Sequence, residues 1–158
     1  MKEFSSIAGM VAHLSTMAAA QALTLNRGLK ECAVAIEATA KGEFGHYQPE
    51  VAPFAGWVEL AERTKADRLA LGFTEDDPLL RSGALRDSVS NQVSGLEAVV
   101  GSTSDIMVYQ ELGTDKIPPR AVLGPAAIRN KKLIIKTLGH AAAEGLLYGS
   151  GVTLTKLT

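Results

Sequence analysis

Residues 117–126 read Ile117-Pro118-Pro119-Arg120-Ala121-Val122-Leu123-Gly124-Pro125-Ala126. Adjacent prolines fix φ and push the residues before them toward extended backbone. Pro125 lacks an amide hydrogen, which costs little in the first turn of a helix. The stretch therefore reads as a rigid corner that leads into the last helix, predicted over residues 125–147. Ile128, Ile135, Leu138, Ala142, Gly145 and Leu146 form the apolar side of that helix, and Arg129, Lys132, Lys136 and His140 line the other. Within the corner Arg120 offers several donors. Glu111 is its natural acceptor, and Arg86 is a second candidate partner for that carboxylate. Gly113 and Gly124 can take backbone geometries closed to other residues.

Upstream of the corner, Ile106 to Leu112 reads either as a third strand or as a helical turn. Val89, Asn91 and Val93 alternate with polar neighbours, and Leu96 to Gly101 follows the Ser94-Gly95 bend. Together they predict a hairpin with one solvated side. Ser82 is placed to cap a helical turn over residues 83–88. Residues 58–71 read as a short helix, with Glu59 and Arg63 paired four apart and Gly72 as its stop. Gly42, Gly45, Pro49, Pro53 and Gly56 break residues 42–56 into a loop that carries Phe44, Tyr47 and Phe54, with Trp57 just after it.

The first forty residues have a helical period: Ile7, Val11, Leu14, Ala18, Leu25, Leu29, Cys32 and Ile36 share a face. They form either one long helix or two consecutive ones. The fold class predicted is α+β, a small antiparallel sheet packed against a long N-terminal helix and a C-terminal helix. One domain is expected over residues 1–148. Residues 149–158 form either a loose arm or a docked strand using Val152, Leu154 and Leu157.

The chain has 158 residues, with 16 basic against 17 acidic side chains, so it lacks the dominant basic footprint of a nucleic-acid-binding domain. The one basic run, Arg129, Lys131, Lys132 and Lys136, reads as helix solvation or protein contact ahead of DNA recognition. Cys32 is the single cysteine, which excludes an intrachain disulfide and a cysteine-rich zinc site. The N-terminus lacks a signal-peptide pattern, and no run of about 18 apolar residues able to span a bilayer is expected, so cytoplasmic production without a membrane partner is the expectation.

Candidates for chemistry are sparse. His13, His46 and His140 are far apart, and His46 with Glu43 and Glu50 is a weak ligand set. Ser82 lacks a nucleophile elbow. Glu111, Asp115 and Asp105 supply carboxylates but no spacing that defines a cleft. No phosphate loop or dinucleotide fingerprint occurs, so no cofactor is expected.

Three segments carry a resemblance. Leu79-Leu80-Arg81-Ser82-Gly83-Ala84-Leu85-Arg86-Asp87-Ser88-Val89, then Val108-Tyr109-Gln110-Glu111-Leu112-Gly113-Thr114, then residues 117–126 occur in that order. Together they resemble the tail-component family of tailed bacteriophages, the tail-completion or neck proteins. Ala121 and Val122 depart from the proline and phenylalanine common in that family. The resemblance implies an α+β structural protein of the virion neck or tail, not an enzyme. It implies contacts with other neck, head-closure or tail proteins, and a hexameric ring in the particle from a chain that can be monomeric in solution. The implied interface residues are Trp57, Arg81, Gly83, Leu85, Tyr109, Glu111, Gly113, Pro118, Pro119, Arg120, Leu123, Gly124 and Pro125. A tail terminator or minor tail protein is the nearest alternative. A nucleic-acid-binding module and a hydrolase using Glu111 or His46 are the non-structural ones.

Overall fold

The computed structural model describes residues 6–150, with side chains described through Leu147. The chain is α+β. Its order is α1 (Ile7–Glu43), α2 (Glu62–Ala70), α3 (Ala84–Asp87), β1 (Val89–Ser94), β2 (Glu97–Ser102), α4 (Asp105–Leu112), α5 (Leu123–Arg129) and α6 (Lys131–Ser150). The chain divides into two compact units. Of the described residues, the first contains 6–32, 93–98 and 132–150; the second contains 33–92 and 99–131.

α1 is one continuous helix of 37 residues, about 55 Å long. In the first unit it lies antiparallel to α6. Gly28 approaches Ala141, and Gly145 sits so close to Gln21 and Thr24 that a Cβ there would lie 2.5 Å from the Thr24 hydroxyl. Small residues at both crossings let the two backbones meet. The Gln21 side-chain amide also donates to the Ala142 carbonyl at 3.4 Å, and Asn26 donates to the Gly95 carbonyl in the hairpin turn at 2.6 Å.

The first half of α1 corrects one expectation. By length and composition the helix is apolar enough to cross a membrane, with a window of mean hydropathy 1.2, none of it buried. The expectation that no apolar run of spanning length is present therefore does not hold for this helix. Ile7, Val11, Leu14 and Leu23 carry most of the hydropathy, alanines and methionines add the rest, and no Asp, Glu, Lys or Arg occurs from Ile7 to Asn26.

The second unit is organised around Ala40 and Phe44 from α1, Trp57, Val89, Met107, Val122 and Ala126. Burying these side chains supplies the main stabilisation, roughly 1.5–3 kcal/mol for each large one. β1 and β2 form a two-stranded antiparallel hairpin turned at Gly95, whose φ is +58°. Alternation in β1 places Val89 inward and Ser90 outward, as the period of two requires.

Several element boundaries differ from those predicted. Ile106 to Leu112 is helical, so the sheet has two strands among the described residues. The helix expected over 58–71 begins at Glu62, which leaves Glu59 outside it and replaces the Glu59–Arg63 pair with Glu62–Lys65 at 3.1 Å. Gly72 ends α2 as expected, with φ +76°. The turn at 83–88 is not capped by Ser82 in the ordinary way. Gly83 stands at the cap position with φ +86°, and Ser82 makes only a 3.4 Å contact to the Ala84 amide. The last helix is interrupted at Asn130, whose side-chain amide donates to the Ala126 carbonyl at 2.9 Å and to Thr39 at 2.8 Å. That local competition for the backbone separates α5 from α6.

Candidate functional site

The prolyl corner is held from three sides. The first is α4. Its residue Glu111 directs Oε1 at the start of α5, where it accepts the amides of Val122 at 2.8 Å and Leu123 at 2.6 Å. A helix start leaves its first amides unpaired, and a carboxylate there satisfies them and complements the helix dipole. Pro125, also in that first turn, has no amide to satisfy. The second side is Trp57, whose indole nitrogen donates to the Ala121 carbonyl at 2.9 Å in the buried core. The third is Arg120. Its amide donates to the Gln110 carbonyl at 2.6 Å, and its guanidinium donates to the Val58 carbonyl at 2.8 and 3.2 Å and to the Glu59 carbonyl at 3.3 Å.

The predicted Glu111–Arg120 salt bridge is therefore replaced by two separate clamps on the backbone. Arg86, the other candidate partner, pairs with Asp87 at 2.8 Å. Arg120 is only 6 % exposed. Burial pulls its pKa below the ordinary arginine value. The carbonyl bonds are what make an enclosed cation tolerable there.

The glycines divide by role. Gly113 ends α4 with φ +73°, and an added Cβ would meet Pro119 at 2.9 Å, so the site needs both the conformation and the space. Gly124 is helical, contrary to the conformational role expected of it. Its constraint is steric: a Cβ there would run into the ring of Phe54.

Beside the corner lies a groove of about 770 Å³. The three resemblance-bearing segments meet on its wall: Leu79, Arg81 and Leu85 come from the first, Gln110 from the second, and Ile117, Pro118 and Arg120 from the third. The groove is mainly apolar, but Arg68, Arg81, Lys116 and Arg120 line it against two carboxylates, Glu59 and Asp67. Arg81 pairs with Asp67 at 2.8 Å and lies 5.2 Å from the Phe73 ring centroid. Arg68 is 4 % exposed and donates to the carbonyls of Thr74 and Leu80, both at 2.7 Å. Arg68 and Arg120 are thus enclosed and bonded to carbonyls and Arg81 is paired with Asp67, so the groove presents a mainly apolar wall.

Of the thirteen residues singled out from sequence, Arg81, Gly83, Leu85, Pro118 and Arg120 line the groove. Trp57, Glu111, Gly113, Pro119, Leu123, Gly124 and Pro125 build the corner behind it. Tyr109 does neither with its ring, which is more than half exposed; its carbonyl accepts the Gly113 amide at 3.0 Å. Sequence reasoning missed Arg68 and the backbone of Leu79, which has φ +60°. No local signal marks either one.

Close to the corner, Glu43 is buried and paired with Arg129, while its Oε2 has no hydrogen-bond partner. Burial raises its pKa to about 7; Arg129 opposes the rise and the charge of Glu111 adds to it. Glu43 is thus committed to a structural pair, and no group of three or more His, Cys, Asp or Glu side chains among the described residues can hold a metal ion. The set Glu43, His46 and Glu50 does not converge into such a group.

Comparison with protein-family models, with curated proteins and with solved structures returns no match for this chain.

Proposed function

We propose that the protein is a structural component of a tailed-phage neck or tail end, which joins or completes the tail through protein–protein contacts. The observation that carries this reading is the meeting of the three family-like segments on one groove, backed by a corner whose charged groups are spent on holding backbone. Glu111 and Arg120 are satisfied by amides and carbonyls, which suits a fixed docking surface better than a site that must exchange protons or release product. The groove receives a segment of a neighbouring neck, head-closure or tail protein. Repetition of one such head-to-tail contact closes a ring, and a hexamer is the form expected at the neck.

The test is deletion of the gene from its phage or prophage, followed by electron microscopy of the particles. The expected result is full heads and separate or unfinished tails, restored to joined particles by complementation. Joined, infectious particles without the protein would overturn the proposal.

A further inference from the structure

α6 carries its burial on one side and its charge on the other. Ala141 and Gly145 face α1, where Gly28, Gln21 and Thr24 lie against them. On the opposite side, at helical spacing, stand Lys132, Ile135, Lys136, Gly139, His140 and Leu146. All are exposed, Ile135 at 64 % and Leu146 at 55 %. Neither Lys132 nor Lys136 has an ion-pair partner among the described residues. Two features of this face weaken the helix that bears it. Lys131 and Lys132 stand in the first turn, which holds no acidic residue, and cations there oppose the helix dipole. Gly139 sits in the helix interior, where glycine is destabilising, although a Cβ at that position would meet nothing within 4 Å. No contact among the described residues requires either feature.

We propose that this face receives the acidic turn Glu75-Asp76-Asp77 of a second copy of this chain. Charge complementarity selects that occupant. Glu75 and Asp76 are exposed, and Asp77 is half-buried. The nearby cation, Lys65, is paired with Glu62 at 3.1 Å and reaches Asp76 only at 4.0 Å, which leaves Glu75 and Asp77 without an ion pair among the described residues. Leu69 and Leu71, both more than half exposed, precede the turn and supply apolar surface to match Ile135 and Leu146. Gly139 leaves a flat spot between the lysines and those two apolar side chains, where the turn can approach closely. Duplex DNA suits the face less well: phosphates match the lysines but offer Ile135 and Leu146 no apolar partner.

The giving and receiving surfaces differ, so the contact is heterologous. Every copy offers one turn and one face, and copies add head to tail. Exposed ion pairs contribute little each and are screened by salt. The contact is therefore weak between free chains and strengthens when other contacts hold copies side by side. It is separate from the groove and does not depend on the phage reading.

Sedimentation of the full chain tests it. At low salt the native chain is expected to associate as its concentration rises toward about 1 mM, and to dissociate when salt is raised to about 0.5 M. Lys132→Glu with Lys136→Glu gives a copy whose face and turn are both acidic. Glu75→Lys with Asp77→Lys gives one whose face and turn both carry a basic excess; Asp76 is kept because it accepts the Tyr47 hydroxyl. Each variant alone should lose at least about tenfold in the association constant, because attraction becomes repulsion. Mixed in equal amounts, the two should associate as well as the native chain. Unchanged circular dichroism and an unchanged urea midpoint confirm that these surface substitutions leave the fold intact. A native chain that stays monomeric throughout, an association indifferent to salt, or a mixture no stronger than its parts would overturn the proposal. A salt-sensitive complex with duplex DNA that the lysine variant loses, from a chain that itself stays monomeric, would also overturn it and assign the face to nucleic acid.

Discussion

Replacing Glu111 with alanine removes the acceptor that closes the start of α5. Two amides lose their partner: Val122, fully buried, and Leu123, partly so. An orphaned buried donor costs about 1–3 kcal/mol. With one amide enclosed and the other able to reach water, the combined loss comes to about 3 kcal/mol, including the lost interaction of the charge with the helix dipole. A domain of this size has a total stability of roughly 5–15 kcal/mol, so such a loss is large. Glu111→Gln keeps an oxygen in place and gives up only the charge, for a loss of about 1 kcal/mol. Urea unfolding followed by tryptophan fluorescence measures both, because Trp57 packs in the same core and bonds to Ala121. A loss below about 1 kcal/mol for the alanine variant, or equal losses for the two variants, would refute the capping role assigned to Glu111.

Three further outcomes follow from the same geometry. Glu43 has a folded pKa of about 7 against an ordinary value of 4.5, so it weakens the fold as pH rises across that interval by about 3 kcal/mol, and it costs nothing below pH 4.5; Glu43→Gln should flatten the pH dependence of the urea midpoint between pH 5 and 7.5, and an unchanged slope would contradict this. Gly124→Ala should destabilise by about 1–3 kcal/mol because the methyl group meets Phe54, and Phe54→Leu should relieve part of that loss; a neutral Gly124→Ala would count against the packing described. Arg120→Ala should lower hydrogen-exchange protection across residues 113–122 and reduce incorporation into particles, with Arg120→Lys only partly restoring it; normal protection and normal incorporation would refute the clamp.

The fold class was legible because the strongest signals are local. Prolines at 118, 119 and 125 end and start elements through their own geometry, and the hairpin follows from alternation around Gly95. α4 was undecided because eight residues rich in apolar side chains fit either period. The break at Asn130 has no local signal, because its side chain is held in place by Thr39, ninety-one residues away.

The corner was located correctly but wired incorrectly. Opposite charges on Glu111 and Arg120 suggested each other as partners. In the fold each finds backbone groups first, since a helix start and an irregular loop leave amides and carbonyls unpaired nearby. Gly124 shows the same limit: its sequence neighbours suggested a turn, whereas its constraint comes from a phenylalanine seventy residues earlier. The groove itself, with Arg68 and Leu79 on its wall, exists only after long-range folding.

Ser82 is exposed on the groove wall and offers a place to block it. A Ser82→Cys protein, labelled with a bulky maleimide and checked for an unchanged urea midpoint, can be added to a lysate of particles that lack the native chain. Native protein and unlabelled variant should restore joined, infectious particles, and the labelled variant should not. Equal restoration by the labelled protein would contradict the claim that this groove is where the neighbouring component docks.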